Sequence, residues 1–203
     1  VNQLALFGSD RILLDGALGT VTYRADVISA ADAARWFEVL RDDVPWQARR
    51  RVMYEREVDV PRLVAQFRFD PSGQLDAPVP AALGEVLRDA TRCVREIIGA
   101  PFNSVGVNRY RDGNDSVAPH HDKLHDLVAG QPIALLSLGA VRRMAIRPIV
   151  KSAAQRAIAI DLAPGSLLVM SHSSQLHTLH GIAKTREAVG TRISLALRVR
   201  PDA

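Results

Sequence analysis

The sequence predicts an α+β fold in which helices come first and a β-sandwich or jelly roll follows. Three observations carry this reading. Two stretches before residue 100 place apolar residues at helical spacing, the chain after residue 100 breaks into short strand-like runs, and turn signals separate those runs. With 203 residues, 47% of them hydrophobic and 24% charged, the chain has the size of one domain and can bury a sizeable core. No run approaches the roughly 18 apolar residues that a membrane span requires.

The first helix is expected over residues 30–41. Ser29 can cap it, and Ala33, Trp36, Phe37 and Leu40 recur at helical spacing. Residues 49–70 are strand-like but heavily charged, which reads as an outlying hairpin or lid. A second helix is expected over 80–98, where Leu83, Val86, Leu87, Ala90, Val94 and Ile97 form one apolar stripe. Pro80 suits its first turn and Gly99 its end. Cys93, in the middle of that helix, reads as a small core residue. Strands are expected over 104–110, 133–138, 143–147, 157–162, 166–170, 178–182 and 192–200.

Composition narrows the setting. The N-terminal VNQLALFGSDRILL lacks the basic start and apolar block of a secretory signal, and one cysteine excludes an internal disulfide framework or a multi-cysteine zinc site. A reducing, cytoplasmic location is the expectation. The net charge of +4 is built from 23 arginines and three lysines. Arginine recognises phosphate and carboxylate through two parallel hydrogen bonds, so the excess points to an anionic partner, nucleic acid first. Biased codon usage would produce the same excess. Nothing points to a protein partner.

All six histidines fall between residues 120 and 180. On an extended strand, residues two apart share a face, so His120 and Asp122 can address one point while His121 turns away. His180 follows 58 residues later. Two imidazoles and a carboxylate form the ligand set of non-haem Fe(II) oxygenases, which leaves metal positions open for a cosubstrate and O₂. A lone His-x-Asp is more often a surface or core pair without a metal. The final strand adds weight: strict alternation puts Arg192, Ser194, Ala196 and Arg198 on one face, and Ile193, Leu195 and Leu197 on the other. A half-solvated strand would look the same. Yet two arginines roughly 20 Å apart at about 3.3 Å per residue, with small residues between them, leave room for a bound diacid gripped through charge-assisted hydrogen bonds. Asn108 and Tyr110 share a face upstream and can add polar contacts.

These residues together spell a family. Asn108-Arg109-Tyr110-x-Asp112-Gly113, His120-x-Asp122, the run from Pro164 through Met170 (PGSLLVM), His180 and Arg192-x5-Arg198 resemble, in order and spacing, the AlkB family of Fe(II)- and 2-oxoglutarate-dependent dioxygenases. A further trace is Val60-Pro61-Arg62. The resemblance implies a double-stranded β-helix (a jelly roll) with N-terminal helices packed on its major sheet and a strand-like substrate lid. It implies one domain over 1–203, with helices and lid in 1–100 and the catalytic core in 101–203. It implies iron ligands His120, Asp122 and His180, and 2-oxoglutarate contacts from Asn108, Tyr110, Arg192, Ser194 and Arg198, without saying which arginine takes which carboxylate. The implied reaction consumes O₂ and 2-oxoglutarate, releases succinate and CO₂, and removes an N-alkyl group from a DNA or RNA base as an aldehyde, as in repair of alkylation damage.

An alkylated base must leave its stack or come from a single strand to be reached. Arg49, Arg50, Arg51, Arg56 and Arg62 around Met53 and Tyr54 offer cationic and aromatic contacts for it, although Glu55, Glu57 and Asp59 interrupt the run and a solvated hairpin is the plain alternative. Tyr54 lies where dealkylases carry an intercalating residue. The chain also departs from the family. Leu124 stands where DNA-repair members carry an acid that recognises the base, Ser194 and Ala196 replace Asn and Thr, and Thr178 and Leu179 replace aromatics. The lid after Pro61-Arg62 looks shortened. These changes spare the cofactor chemistry and leave the substrate open: a protein side chain, a small molecule, or a silent binding module on the same fold are the alternatives. His172 and His177 either orient the metal ligands or face solvent, and His121 and His125 read as rim residues.

Overall fold

Two antiparallel sheets face each other, and two helices cover the outer side of the larger one. The computed structural model describes the chain apart from residues 1–9, 54–55, 151–155 and 202–203, with side chains of 49–59 also outside the description. Strands β1 (Arg11–Leu14) and β2 (Val21–Arg24) precede helix α1 (Ala30–Asp43). Strands β3 (Gln47–Met53) and β4 (Arg56–Arg68) precede helix α2 (Ala81–Ile98). The strand-rich half follows as β5 (Ser104–Tyr110), β6 (Val117–His120), β7 (Ile133–Gly139), β8 (Arg142–Pro148), β9 (Ile158–Leu162), β10 (Leu167–Met170), β11 (Thr178–Ile182) and β12 (Arg192–Arg198), with a one-turn helix α3 (Ser174–His177) leading into β11. The large sheet runs β1-β2-β10-β7-β12-β5-β4-β3 and the small one β6-β11-β8-β9.

Local chemistry explains the helix ends. Ser29 caps α1 by accepting the Asp32 N–H at 3.0 Å. Pro80 sits at the N-cap of α2 rather than in its first turn, and Gly99 closes that helix in the left-handed region at φ 73°. The stripe Leu83, Val86, Leu87, Ala90 and Val94 is buried as its spacing demands. It joins Trp36 and Leu40 of α1 against Val105, Leu136, Ile193, Leu195 and Leu197 of the large sheet. A second core fills the space between the sheets, where Leu135, Leu168 and Ala196 meet Met144, Ile146, Ile160 and Ile182. Among the described residues no helix is long and apolar enough to cross a membrane.

Three strands escape the sequence reading. β1, β2 and β6 are four residues each, too short to show a period, and pairing with better-defined neighbours holds them: β2 on β10, and β6 on β11. The helix-first texture is corrected accordingly, since β1 and β2 already belong to the large sheet. The charged segment 49–70 is also corrected. It is not wholly outlying, because β4 pairs with β5 from Leu63–Arg109 to Arg68–Ser104. Beyond Leu63, β4 continues through Arg56 paired with β3.

Candidate metal centre

β6 ends at His120, and β11 lies beside it in a register that pairs His180 with His120. The two imidazole rings are 4.5 Å apart at their centroids, tilted by 51°. Gly181 makes this approach possible. A Cβ there would lie 2.9 Å from both Pro119 N and Val117 O of β6, closer than any side chain tolerates. Asp122 follows two residues after His120, and one ligand atom each from His120, Asp122 and His180 fall within 4.8 Å of one another.

The electrostatics suit metal binding. Burial pushes the His120 imidazole below its ordinary value, and burial with the neighbouring His120 pushes His180 down to about 3, so both rings are neutral at pH 7. The His120 Nδ1 lies 2.9 Å from the Ala118 carbonyl. With its N–H donated there, the ring leaves Nε2 free as a base. His180 Nδ1 is buried with no hydrogen-bond partner among the described residues. Burial would raise the Asp122 carboxyl, but the attraction and hydrogen bond of Arg198, whose Nε donates to Oδ2 at 2.7 Å, outweigh it and hold the group below the usual carboxylate range. Two neutral imidazoles and one ionised carboxylate, converging on one point, fit a divalent first-row metal.

Beside this group lies a cavity of about 70 Å³ whose wall includes His120, His180, Asn108, Tyr110, Arg192, Ser194 and Arg198. The alternation read from β12 is realised in space: the arginine face turns inward between the sheets, with the Arg198 side chain 18% exposed. Arg192 is fully buried. Its Nη2 donates to Ser137 Oγ at 2.9 Å, its guanidinium lies 5.3 Å from the centroid of the Tyr110 ring, and Nε and Nη1 have no partner among the described residues. Burial pulls its pKa down to about 10. A sealed cation with two nitrogens unpartnered among the described residues, on a cavity wall, has donors suited to a carboxylate.

The remaining expectations divide. Arg62 lines the cavity and donates from Nε to Asn108 Oδ1 at 2.9 Å, while the neighbouring Pro61 carbonyl accepts the Ser116 N–H at 2.7 Å and ties β4 to the approach to β6. Leu124 does not line the cavity; it sits in a 3₁₀ turn and packs against the inter-sheet core. Tyr54 lies outside the described residues. His121, His125 and His177 are exposed. Two supports went unread. Ser137 was legible as the one polar residue in the apolar run of β7. Arg142 is buried, donates to the carbonyls of Asp112, Asp115 and Ala183, and lies 5.7 Å from the Tyr110 centroid, so two guanidiniums flank that ring. A charged residue at a strand start carries no sequence signal for such a role.

Residues 20–198 match the family described as the 2OG-Fe(II) oxygenase superfamily. The chain belongs to that superfamily. Among its relatives, human DNA oxidative demethylase ALKBH2 is 36% identical over 110 residues, covering 52% of this chain and 42% of that protein. Rat alpha-ketoglutarate-dependent dioxygenase alkB homolog 3 is 33% identical over 180 residues, covering 83% of this chain and 61% of the other. The chain therefore spans less than two thirds of the length of these relatives, and they uphold the AlkB resemblance read from its motifs. Two solved structures share the superfamily fold. A 2OG-Fe(II) oxygenase family oxidoreductase from Burkholderia pseudomallei superposes with a TM-score of 0.60 at 15% identity, over 88% of this chain and 84% of that one. OsALKBH1 superposes with 0.56 at 14% identity, over 94% and 100%. The 2OG-Fe(II) oxygenase superfamily uses Fe(II), 2-oxoglutarate and O₂, the group to which the site's donors are suited.

Proposed function

We propose that this superfamily member oxidatively demethylates N-alkylated bases in DNA or RNA. The observation that carries the chemistry is the buried Arg192, two of whose three nitrogens have no partner among the described residues, on the wall of the cavity that His120 and His180 of the metal-ligating cluster also line. The substrate class is supported by relatives named as a DNA oxidative demethylase and an alkB homolog.

In this reading His120, Asp122 and His180 hold the iron. When bound, iron with 2-oxoglutarate and O₂ supplies the oxidation of the N-alkyl carbon, the cosubstrate leaving as succinate and CO₂ and the alkyl group as an aldehyde. The chain's own work is placement. Arg192 takes the far carboxylate of 2-oxoglutarate, with Tyr110 and Asn108 beside it, and Ser194 offers a hydroxyl from the same face of β12. Arg198 is already committed to Asp122 and keeps that carboxylate ionised and oriented. Apolar walls from Leu135, Met144 and Ile182 exclude water from the reacting end.

Residues 1–203 act as one catalytic domain, and the outer parts of β3 and β4, beyond the pairing with β5, form the lid over a flipped or single-stranded base. Arg62 then reaches the substrate from the base of that lid.

Succinate and aldehyde release measured with methylated single-stranded DNA, duplex DNA, RNA and a methylated peptide tests the reading. Release that depends on methylated nucleic acid, strongest with single strands, is expected. Release driven by the peptide alone would move the substrate to protein, and none with any polymer would contradict the proposal.

A further inference from the structure

The Asp122 carboxylate is fixed by Arg198, but where it points also depends on where its backbone sits. Its amide N–H donates to Gln175 Oε1 at 3.0 Å, across 53 residues of chain. Gln175 belongs to α3, five residues before His180, and its side chain is sealed from solvent at 1% exposure.

The direction of this amide is determined by its neighbours. The Ser174 hydroxyl donates its proton to the Ser171 carbonyl at 2.7 Å, so its oxygen can only accept from Gln175 Nε2, which lies 3.2 Å away. Nε2 also lies 3.7 Å from Met170 Sδ, a second weak acceptor. Turned over, the amide would set its NH₂ against the Asp122 N–H, donor against donor, in a buried site. The joint between α3 and β11 is clamped as well, Thr178 Oγ1 donating to the Ser174 carbonyl at 2.8 Å. Gln175 thus ties the segment that carries His120 and Asp122 to the segment that carries His180.

We propose that Gln175 is a positioning residue for the metal centre, holding the Asp122 backbone so that its carboxylate and the two imidazoles keep a common focus. This rests on the metal-centre reading above. Partners of this kind, one step behind the ligands, change metal affinity by about 10- to 100-fold when removed.

Titration of the protein with Co(II) alone, followed by calorimetry and by the visible absorption of the bound ion, tests it without turnover. Gln175→Leu is expected to lower Co(II) affinity by about 10-fold or more and to alter the absorption bands. Gln175→Glu is expected to stay within about threefold of the parent, because a buried, neutral carboxylic acid keeps one acceptor and one donor where the amide had them. Parent affinity and spectrum in Gln175→Leu would overturn the proposal, as would equal losses in both variants, which would signal packing alone. If Gln175→Leu does not fold, Ser174→Ala, which frees the other end of the amide, carries the test: a weaker loss in the same direction supports it, and no change overturns it. Failure of the parent protein to bind Co(II) would overturn the metal-centre reading itself.

Discussion

At Arg192 a fully buried guanidinium keeps two nitrogens without partners among the described residues, an arrangement that destabilises a folded chain unless a ligand completes it. Stability and binding should therefore separate at this residue. Arg192→Met is expected to leave the metal-free, cosubstrate-free melting temperature unchanged or to raise it, while weakening 2-oxoglutarate binding by about 100-fold, near the upper range for a charge-assisted contact. Calorimetry on both proteins measures it; a loss smaller than threefold in affinity would return Arg192 to a packing role. The histidines give a second test at this scale. Both have folded-state values below the ordinary 6.5, His180 reaching about 3. A buried base of this kind contributes stability that is complete above its unfolded value and is lost as pH falls from 6.5 towards the folded value. The metal-free protein should thus lose melting temperature below about pH 6.5, and His180→Leu should flatten that slope. An unchanged slope would contradict the burial of His180 as a neutral ring.

At the scale of elements, the site depends on how closely β6 and β11 approach. Gly181→Ala would drive a methyl against rigid backbone at 2.9 Å, whereas at Gly190 the nearest atom is Ala140 Cβ at 3.7 Å, an ordinary contact. Gly181→Ala is expected to destabilise by about 1–3 kcal/mol and to abolish tight metal binding; Gly190→Ala should do less on both counts. Melting curves with and without Co(II) compare them, and equal effects would deny the strand spacing its special role. These elements also show what a sequence reveals. β5, β11 and β12 were legible as short strand-like runs between turn signals, and the strict alternation of β12 predicted its arginine face. β6, which carries His120, was not, because four residues held at a sheet edge leave no period to read. Whether the inward arginines met solvent or a cavity, and which of them was already paired to Asp122, depended on the opposing sheet. The hydrogen bond from Asp122 to Gln175 joins residues 53 apart and leaves no mark in either motif.

Across the whole molecule, the two cores assign separate tasks. The helix-backed core covers the outer face of the large sheet, and the inter-sheet core, interrupted on one side by the cavity, leaves the polar faces of β5 and β12 turned towards His120 and His180 of the small sheet. The arginine excess finds its use at the proposed lid if a phosphate backbone runs there. Replacing Arg49, Arg50 and Arg51 together should then reduce the slope of log affinity for single-stranded DNA against log salt by about 2, given roughly 0.7 per phosphate contact; an unchanged slope would leave that segment a solvated hairpin. The most direct test of the account is a crystal structure grown without oxygen in the presence of Fe(II) and 2-oxoglutarate. One iron bonded by His120, Asp122 and His180 together, with the far carboxylate of the cosubstrate on Arg192, is the predicted result; iron held by other residues, or a cosubstrate that leaves Arg192 unpaired, would contradict it.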